Sequence, residues 1–184
     1  MSGSDLASAP CIFDKIRQMS PMIRHLSEAM MSNFLQTSEI AGISALLGGA
    51  ETLKRTPRNV LEAHDMLTLG LPSAALNFLV DGLQRLEHDK ALENAMGMSL
   101  RTFQRRRDNR DKPLNPDQSG RAWKFAEILT KAIAQFGSQE EAERWMQEPA
   151  MGLDNRRPID LLASPAGVEM VETFLTRLEY GVYM

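Results

Sequence analysis

The chain has 184 residues, of which 43% are apolar and 24% charged, and its 21 basic and 24 acidic side chains leave a formal net charge of −3. This length suits one domain or two small ones, and a single cysteine excludes an intramolecular disulfide framework and a cysteine-based zinc cluster. The longest apolar run, residues 41–50, is too short to cross a bilayer, and the first residues lack the pattern of a signal peptide. We therefore expect a cytoplasmic protein with no membrane partner.

The first part of the chain predicts a tail followed by a helix. Residues 1–10 are small and polar and are expected to lack fixed structure. A helix is predicted over residues 20–36, with Pro21 in its first turn. Apolar side chains recur in it at helical spacing, at Ile23, Leu26, Met30 and Phe34. Its broad apolar face fits self-association and packing within the chain equally well, so residues 1–40 are a candidate dimerisation element.

Three short helices are predicted in the middle of the chain. The first covers residues 61–68 and is closed by Gly70 and Pro72. The second begins with Ser73 as its cap and extends to about residue 88, and the third covers residues 89–96 and stops at Gly97. Because strand-like alternation of useful length is lacking throughout the sequence, we predict an all-α fold.

The second half of the chain carries clear signals for the start of helices. These signals are Ser99, Asn115 with Pro116, Ser138 with Glu141 three residues later, and Ser164 with Pro165. The helices that they open begin at residues 100, 116, 139 and 165. A loop is predicted at residues 149–158, and Gly181 ends the last helix.

The charges are segregated along the chain. Between Arg101 and Lys112 six basic residues stand against two acidic ones, which gives a local net charge of +4. From Ser138 to the C-terminus four basic residues stand against nine acidic ones, which gives −5. A chain with this charge pattern can carry two different binding surfaces, so the overall value of −3 does not exclude nucleic acid as a partner.

Residues 89–107 have the pattern of a helix-turn-helix. Gly97 permits a left-handed turn, Met98 enters that turn, and Ser99 can bond the first free amides of the second helix. Leu100 and Phe103 are predicted to point inward. The outward arc then consists of Arg101, Thr102, Gln104, Arg105 and Arg106.

A helix that reads the major groove needs side chains that bond base edges and phosphates. Arginine can bond guanine, glutamine can bond adenine, and threonine can contact the methyl group of thymine. We assign contacts with the bases of an operator to Arg101, Thr102, Gln104 and Arg105. We assign contacts with phosphates to Arg106, Arg110 and Lys112. Because one such helix supplies little affinity, we expect a homodimer. The alternative is a solvated basic helix that binds nothing.

The C-terminal residues resemble a known family. The elements Pro158-Ile-Asp-Leu-Leu162 and Arg177-Leu-Glu-Tyr-Gly-Val182 are similar to the Xre/MbcA/ParS toxin-binding domain. The upstream block Leu67-Thr-Leu-Gly-Leu-Pro72, followed by Ser99-Leu-Arg-Thr-Phe103, resembles the Xre antitoxins of RES–Xre toxin–antitoxin modules. The resemblance covers about residues 42–184.

This resemblance implies that the chain is an antitoxin and not an enzyme. A C-terminal domain over residues 138–184 would bind a RES-domain toxin, which consumes NAD, and obstruct its active site. The helix-turn-helix domain over residues 41–137 would repress the operon of the pair. The toxin-binding residues that we assign are Arg177, Glu179, Tyr180, Gly181, Val182 and Tyr183, since Glu179 could pair with a cation of the toxin and a tyrosine could fill a pocket.

Two departures from the family pattern concern the loop before the Pro158 element. Ala150 stands where the family usually has asparagine, and Arg157 stands where a threonine would cap the next helix. Asp154 or Asn155 could serve as the turn residue instead.

Other chemistry is not indicated by the sequence. The three histidines lie on separate segments without metal-ligand spacing, so no metal, catalytic residue or cofactor is predicted. The alternatives to the antitoxin are a stand-alone helix-turn-helix transcription regulator without a toxin partner and a plain oligomerisation adaptor.

Overall fold

The computed structural model describes residues 36–86, 90–107 and 112–181, except for the side chain of Leu100. Contacts divide the chain into two compact units, Met1–Thr37 and Ser38–Met184, and nearly all of the described residues belong to the second. The helix predicted over residues 20–36 lies outside the described residues, apart from Gln36. Within the described ranges helices predominate and no extended strand occurs, which confirms the all-α fold class.

The helices follow one another with short connections. They are α1 (residues 36–46), α2 (Gly49–Leu53), α3 (Val60–Leu69), α4 (Ser73–Gly82), α5 (Lys90–Met96), α6 (Leu100–Arg107), α7 (Pro116–Phe136), α8 (Gln139–Gln147), α9 (Pro158–Leu161) and α10 (Pro165–Glu179). A 3-10 turn, Met151–Leu153, lies in the loop that was predicted between α8 and α9.

The longest helix, α7, begins where the sequence predicts. The Asn115 side chain accepts a hydrogen bond from the Gln118 N–H at 2.7 Å, and Gln118 Oε1 accepts one from the Asn115 N–H at 3.4 Å. At the other end Gly137 has a φ of 87°, and its N–H donates to the Ile133 carbonyl. The last helix starts in a similar way, because Ser164 accepts a bond from the Gly167 N–H.

The prediction for α4 is wrong at both ends. Pro72, not Ser73, occupies the cap position, and the Ser73 hydroxyl instead donates to the Lys112 carbonyl at 2.6 Å. The helix stops at Gly82 rather than near residue 88. It stops there because the N–H groups of residues 84–86 donate to the carboxylate of Glu143 on α8 instead of to carbonyls of α4.

One apolar core joins the two halves of the second unit. It contains fully buried side chains from α4, α7, α8, α9 and α10, among them Leu76, Ile128, Met146, Ile159 and Val171. The core is therefore continuous across the predicted domain boundary at residue 137, and that boundary stays a prediction. Each of these side chains stabilises the fold by about 1.5–3 kcal/mol through burial.

Candidate functional site

The turn between α5 and α6 has the geometry of a helix-turn-helix. Gly97 has a φ of 61°, in the left-handed region that favours glycine. The Met98 N–H donates to the Glu93 carbonyl at 3.0 Å, which closes the end of α5, and the Met98 side chain is buried. The side chain of Arg121 on α7 covers Gly97, since a Cβ there would lie 3.1 Å from Arg121 Cδ.

Helix α6 presents a polar and cationic surface. Arg101, Gln104 and Arg105 are exposed, and Thr102 is half-buried with its hydroxyl 3.2 Å from Ser99 Oγ. Phe103 is buried, as predicted. Lys112 is exposed beyond the helix, whereas Arg110 lies outside the described residues.

The prediction that Arg106 lies on the outward arc of α6 is wrong. Its Nη1 donates to Ser73 Oγ at 3.1 Å and to the Pro113 carbonyl at 3.3 Å, and its Nη2 donates to Gln118 Oε1 at 2.9 Å. Burial lowers the pKa of this guanidinium, and the nearby charge of Arg105 lowers it further. The inward orientation of the side chain is stabilised by these three hydrogen bonds to oxygen acceptors.

A row of polar residues on α4 supports α6. Ser73, Asn77 and Asp81 are spaced four residues apart and therefore share one face of the helix. Ser73 bonds the Arg106 side chain, Asn77 lies 3.4 Å from the Arg106 carbonyl, and Asp81 forms an ion pair with Arg107. These residues were not predicted from the sequence, although three polar side chains at this spacing on an otherwise apolar helix indicate a shared contact.

The block at residues 67–72 pairs with the chain that follows α6. The Leu114 N–H donates to the Leu71 carbonyl at 2.7 Å, and Pro72 and Pro113 form an antiparallel bridge. Gly70 has a φ of 95°, and a Cβ there would lie 2.3 Å from the Leu114 carbonyl oxygen. Only glycine fits this close approach, which explains why the block contains a glycine at position 70.

The end of α10 carries the residues assigned to toxin binding. Arg177, Glu179, Tyr180 and Gly181 are all exposed, and 74% of Tyr180 is accessible to solvent. Gly181 has a φ of 65° and its N–H donates to the Leu178 carbonyl, so it ends the helix as predicted. Val182 and Tyr183 lie outside the described residues.

An apolar surface lies beside these residues. Phe174 precedes Arg177 by three positions on α10, and its ring stacks on Trp145 of α8 with the ring centres 5.9 Å apart. Met170, four positions before Phe174 on α10, is 42% exposed, and Met151, the neighbour of the Gly152 that packs on the Phe174 ring, is 89% exposed. Exposed methionines next to an aromatic ring are suited to contact with another protein.

The loop before α9 accommodates Arg157 at the position where the family has threonine. Arg157 makes no capping bond but holds Asp160 through two hydrogen bonds of 2.7 Å, which lower the pKa of that carboxyl. Asp160 thus places its charge in the first turn of α9, where a negative charge is favourable. Asp154 and Asn155 supply the left-handed turn with φ values of 54° and 57°.

Not every acidic residue of the C-terminal segment lies at the surface. Glu143 is fully buried, so the net charge of −5 overstates the charge that this part of the chain presents to a partner. The sequence does not reveal this, because glutamate is almost always exposed. Nearer the surface, the exposed Glu140 pairs with Arg85 at 2.6 Å and the half-buried Glu141 pairs with Arg144.

In the part of the chain that the structure describes, no cluster of three His, Cys, Asp or Glu side chains could hold a metal ion, and no helix is long and apolar enough to span a membrane.

Two family models match the chain. The Xre-like helix-turn-helix domain of the Xre antitoxins matches residues 89–127, and the C-terminal toxin-binding domain of the Xre/MbcA/ParS antitoxins matches residues 131–181. A protein of Pseudomonas putida called antitoxin Xre is 30% identical over 122 residues, which are 65% of this chain and 72% of that protein. The chain belongs to the Xre antitoxin family.

A second relative supports this assignment. An antitoxin Xre of Yersinia enterocolitica is 34% identical over 90 residues, which are 48% of this chain and 60% of that protein. The helix-turn-helix match contains α5, α6 and the first part of α7, and the toxin-binding match extends to Gly181. The chain is thus an Xre-type antitoxin of a toxin–antitoxin system, with a helix-turn-helix domain followed by a toxin-binding domain.

Proposed function

We propose that this Xre antitoxin neutralises a RES-domain, NAD-consuming toxin through the end of its C-terminal domain and represses its own operon as a homodimer. The observation that carries the proposal is that one chain contains both family domains, each with an exposed set of residues suited to its partner. Helix α6 has a cationic surface for DNA, and the end of α10 has an acidic, aromatic and apolar surface for a protein. Action at an operon agrees with the predicted cytoplasmic location.

The DNA interface would consist of the exposed side chains of α6 and of Lys112. Arg101, Gln104 and Arg105 are exposed on α6, with Gln104 and Arg105 one turn after Arg101, so base edges can reach this surface. Thr102 lies at the start of the helix, where a phosphate or a base can approach. Lys112 and Arg110 would bond phosphates. Two such helices related by a twofold axis would span a palindromic operator, which is why we propose a homodimer.

A gel shift on the DNA upstream of the coding sequence tests the DNA interface. We expect the double substitution Arg101→Ala/Arg105→Ala to weaken binding at least tenfold, because each arginine–base pair contributes about 1–3 kcal/mol. The control Arg55→Ala/Arg144→Ala removes the same charge from other helices or loops and should retain the shift. An unchanged shift with the first variant would refute α6 as the recognition helix.

The toxin interface would centre on the end of α10. A toxin that binds NAD needs cations for the pyrophosphate, and the exposed carboxylate of Glu179 could pair with one of them. Tyr180 could fill an apolar or nicotinamide-sized slot. Arg177 and residues 181–183 would complete the contact, with Met151 and Met170 at its edge.

Growth rescue tests the toxin interface. The cognate toxin is co-expressed with the full chain or with a chain that lacks residues 180–184, and we expect only the full chain to restore growth. The truncation begins at an exposed residue, so it should leave the core intact. Substitution of the exposed Glu169 on the first half of α10 serves as the control. Full neutralisation by the truncated chain would refute this interface.

A stand-alone transcription regulator is the alternative function. In that case the upstream DNA would be bound as proposed, but no toxin would be neutralised or co-purified.

A further inference from the structure

The guanidinium of Arg106 connects the end of α6 to other segments of the protein by hydrogen bonds. Its three hydrogen bonds reach three separate pieces of the chain, which are the start of α4 at Ser73, the segment after α6 at Pro113, and the first turn of α7 at Gln118. Its Nε is buried. Three of the five N–H donors of this side chain are thus already bonded to acceptors within the protein.

The pieces that Arg106 joins are themselves tied together. Ser73 donates to the Lys112 carbonyl through both its N–H and its hydroxyl, and the Leu114 N–H donates to the Leu71 carbonyl. The Leu71 N–H in turn donates to Ser119 Oγ on α7 at 2.9 Å. Arg106 therefore bonds to a connected frame, which we call the bridge frame (residues 70–73, 112–114 and 118–119).

Arginine is the residue type that this arrangement requires. Its planar guanidinium places donors in a fixed fork, so bonds in different directions define the orientation of the side chain and of the helix that carries it. A lysine would retain the charge but has a flexible stem and a single nitrogen. The neighbouring Arg105, in contrast, is exposed and belongs to the surface that faces outward.

We infer that Arg106 is a positioning residue for DNA recognition: it sets the orientation of α6 through the bridge frame and does not contact phosphate. The inference rests on the proposed DNA binding. It reverses the assignment of Arg106 to phosphates that the sequence suggested. Base-edge contacts depend on the exact direction of the helix, whereas non-specific binding depends mainly on the number of cations near the DNA.

These two dependences give Arg106 a distinct signature. Loss of a positioning residue should reduce affinity for the specific site and leave non-specific affinity nearly unchanged. Loss of a phosphate contact should reduce both affinities and lower the slope of log K against log salt concentration by about 1. Partial unfolding should reduce both affinities by the same factor without a change of slope.

The experiment measures fluorescence anisotropy of the full chain with the DNA upstream of its coding sequence and with a scrambled duplex of equal length, at several salt concentrations. For Arg106→Ala and Arg106→Lys we expect at least a tenfold loss on the upstream fragment, less than a twofold change on the scrambled duplex and an unchanged salt slope. Ser73→Ala removes one acceptor and keeps every cation, so it should produce a smaller loss of the same kind. Lys112→Ala is the control that should lower the salt slope.

Three results would overturn the inference about Arg106 while leaving the proposed DNA binding in place. They are a salt slope for Arg106→Ala that falls like that of Lys112→Ala, an equal loss on both duplexes, and full specificity of Arg106→Lys. If the Arg106 variants fail to fold, the Ser73→Ala variant provides the test. The role of the bridge frame would be contradicted if this variant prefers the upstream fragment as strongly as the wild-type chain does. A wild-type chain with no preference for the upstream fragment would refute the proposed DNA binding itself, and the inference with it.

Discussion

At the scale of single residues, Gly152 shows how the toxin-binding domain depends on close packing. A Cβ on this residue would lie 2.2 Å from Cε2 of Phe174. The ring of Phe174 cannot retreat freely, because it stacks on Trp145, which in turn lies 5.1 Å from the ring of Phe136. The 3-10 turn is thereby fixed against α10, next to the surface proposed for the toxin.

We predict that Gly152→Ala destabilises the protein by about 2 kcal/mol, because the added methyl group must displace an aromatic ring. Urea unfolding measures the change. Gly120→Ala on α7 is the matched control, since a Cβ there meets nothing within 4 Å, and it should be neutral or stabilising by up to about 1 kcal/mol. Equal stability of the two variants would show that the turn adapts.

The residues that sequence analysis misplaced are charged side chains with inward contacts. Arg106 stands in a run of three arginines and Glu143 among several glutamates, so each looks like a member of a solvated surface. Several of their partners lie more than ten residues away along the chain, as Gln118 does from Arg106 and as residues 84–86 do from Glu143. Helical spacing alone cannot report such long-range partners.

At the scale of elements, Glu143 connects α8 to the segment that leads to the helix-turn-helix. Its Oε2 accepts bonds from the N–H groups of Gln84 at 2.9 Å, Arg85 at 2.6 Å and Leu86 at 3.3 Å. Its other oxygen accepts a bond of 2.7 Å from Gln139. A carboxylate can satisfy this many donors, and no neutral side chain of equal size can do so.

We predict that Glu143→Ala lowers the free energy of unfolding by about 3 kcal/mol, since backbone donors lose their acceptor in a buried site. Glu140→Ala removes the exposed glutamate one turn earlier and should cost at most about 1 kcal/mol. Chemical denaturation followed by circular dichroism compares the two. A loss below about 1 kcal/mol in Glu143→Ala would mean that water replaces the carboxylate.

An ionic cluster joins α7 to α10 and α1. Glu127 lies 2.7 Å from Lys124 and 2.9 Å from Lys131, and the two lysines also reach Glu172 of α10 and Glu39 of α1. Burial alone would raise the pKa of Glu127, but hydrogen bonds from the two lysines outweigh it and lower the pKa. Burial likewise opposes the charge of Lys124 and Lys131, while their glutamate partners raise the pKa of each.

The lowered pKa of Glu127 predicts a pH dependence of stability. A carboxyl whose pKa is depressed by folding stabilises the protein above its ordinary pKa of 4.5, and this stabilisation is lost as the pH falls through the folded value. We expect thermal unfolding scans between pH 7 and pH 3 to show a smaller acid loss for Glu127→Gln than for the wild-type chain. Glu169→Gln should follow the wild type. Identical acid losses in all three proteins would contradict the role of the cluster.

The starts of α7 and α10 were predictable because they depend on local chemistry. Ser164 and Asn115 bond N–H groups three residues ahead, so a capping residue and a following proline suffice to locate α10 and α7. The end of α4 was not predictable, since a carboxylate on α8 determines it. The start of α8 was predicted only in part. Ser138 caps the helix as expected, but the Glu141 side chain pairs with Arg144 on the same helix.

At the scale of the whole molecule, the segregated charges of the sequence correspond to two separate surfaces on one core. The cationic set lies on α6, in the match to the helix-turn-helix domain, and the exposed Glu179 and Tyr180 end the match to the toxin-binding domain. The fold class, the helix-turn-helix and the family followed from sequence patterns. The direction of each charged side chain did not, because it depends on tertiary contacts.

The central claim is that the two surfaces act independently, one on operator DNA and one on the toxin. The most direct test measures promoter repression and growth rescue in the same cells for two variants. We predict that Arg101→Ala/Arg105→Ala restores growth but fails to repress, and that the chain without residues 180–184 represses but fails to restore growth. Loss of both activities in either variant, or retention of both, would contradict the account.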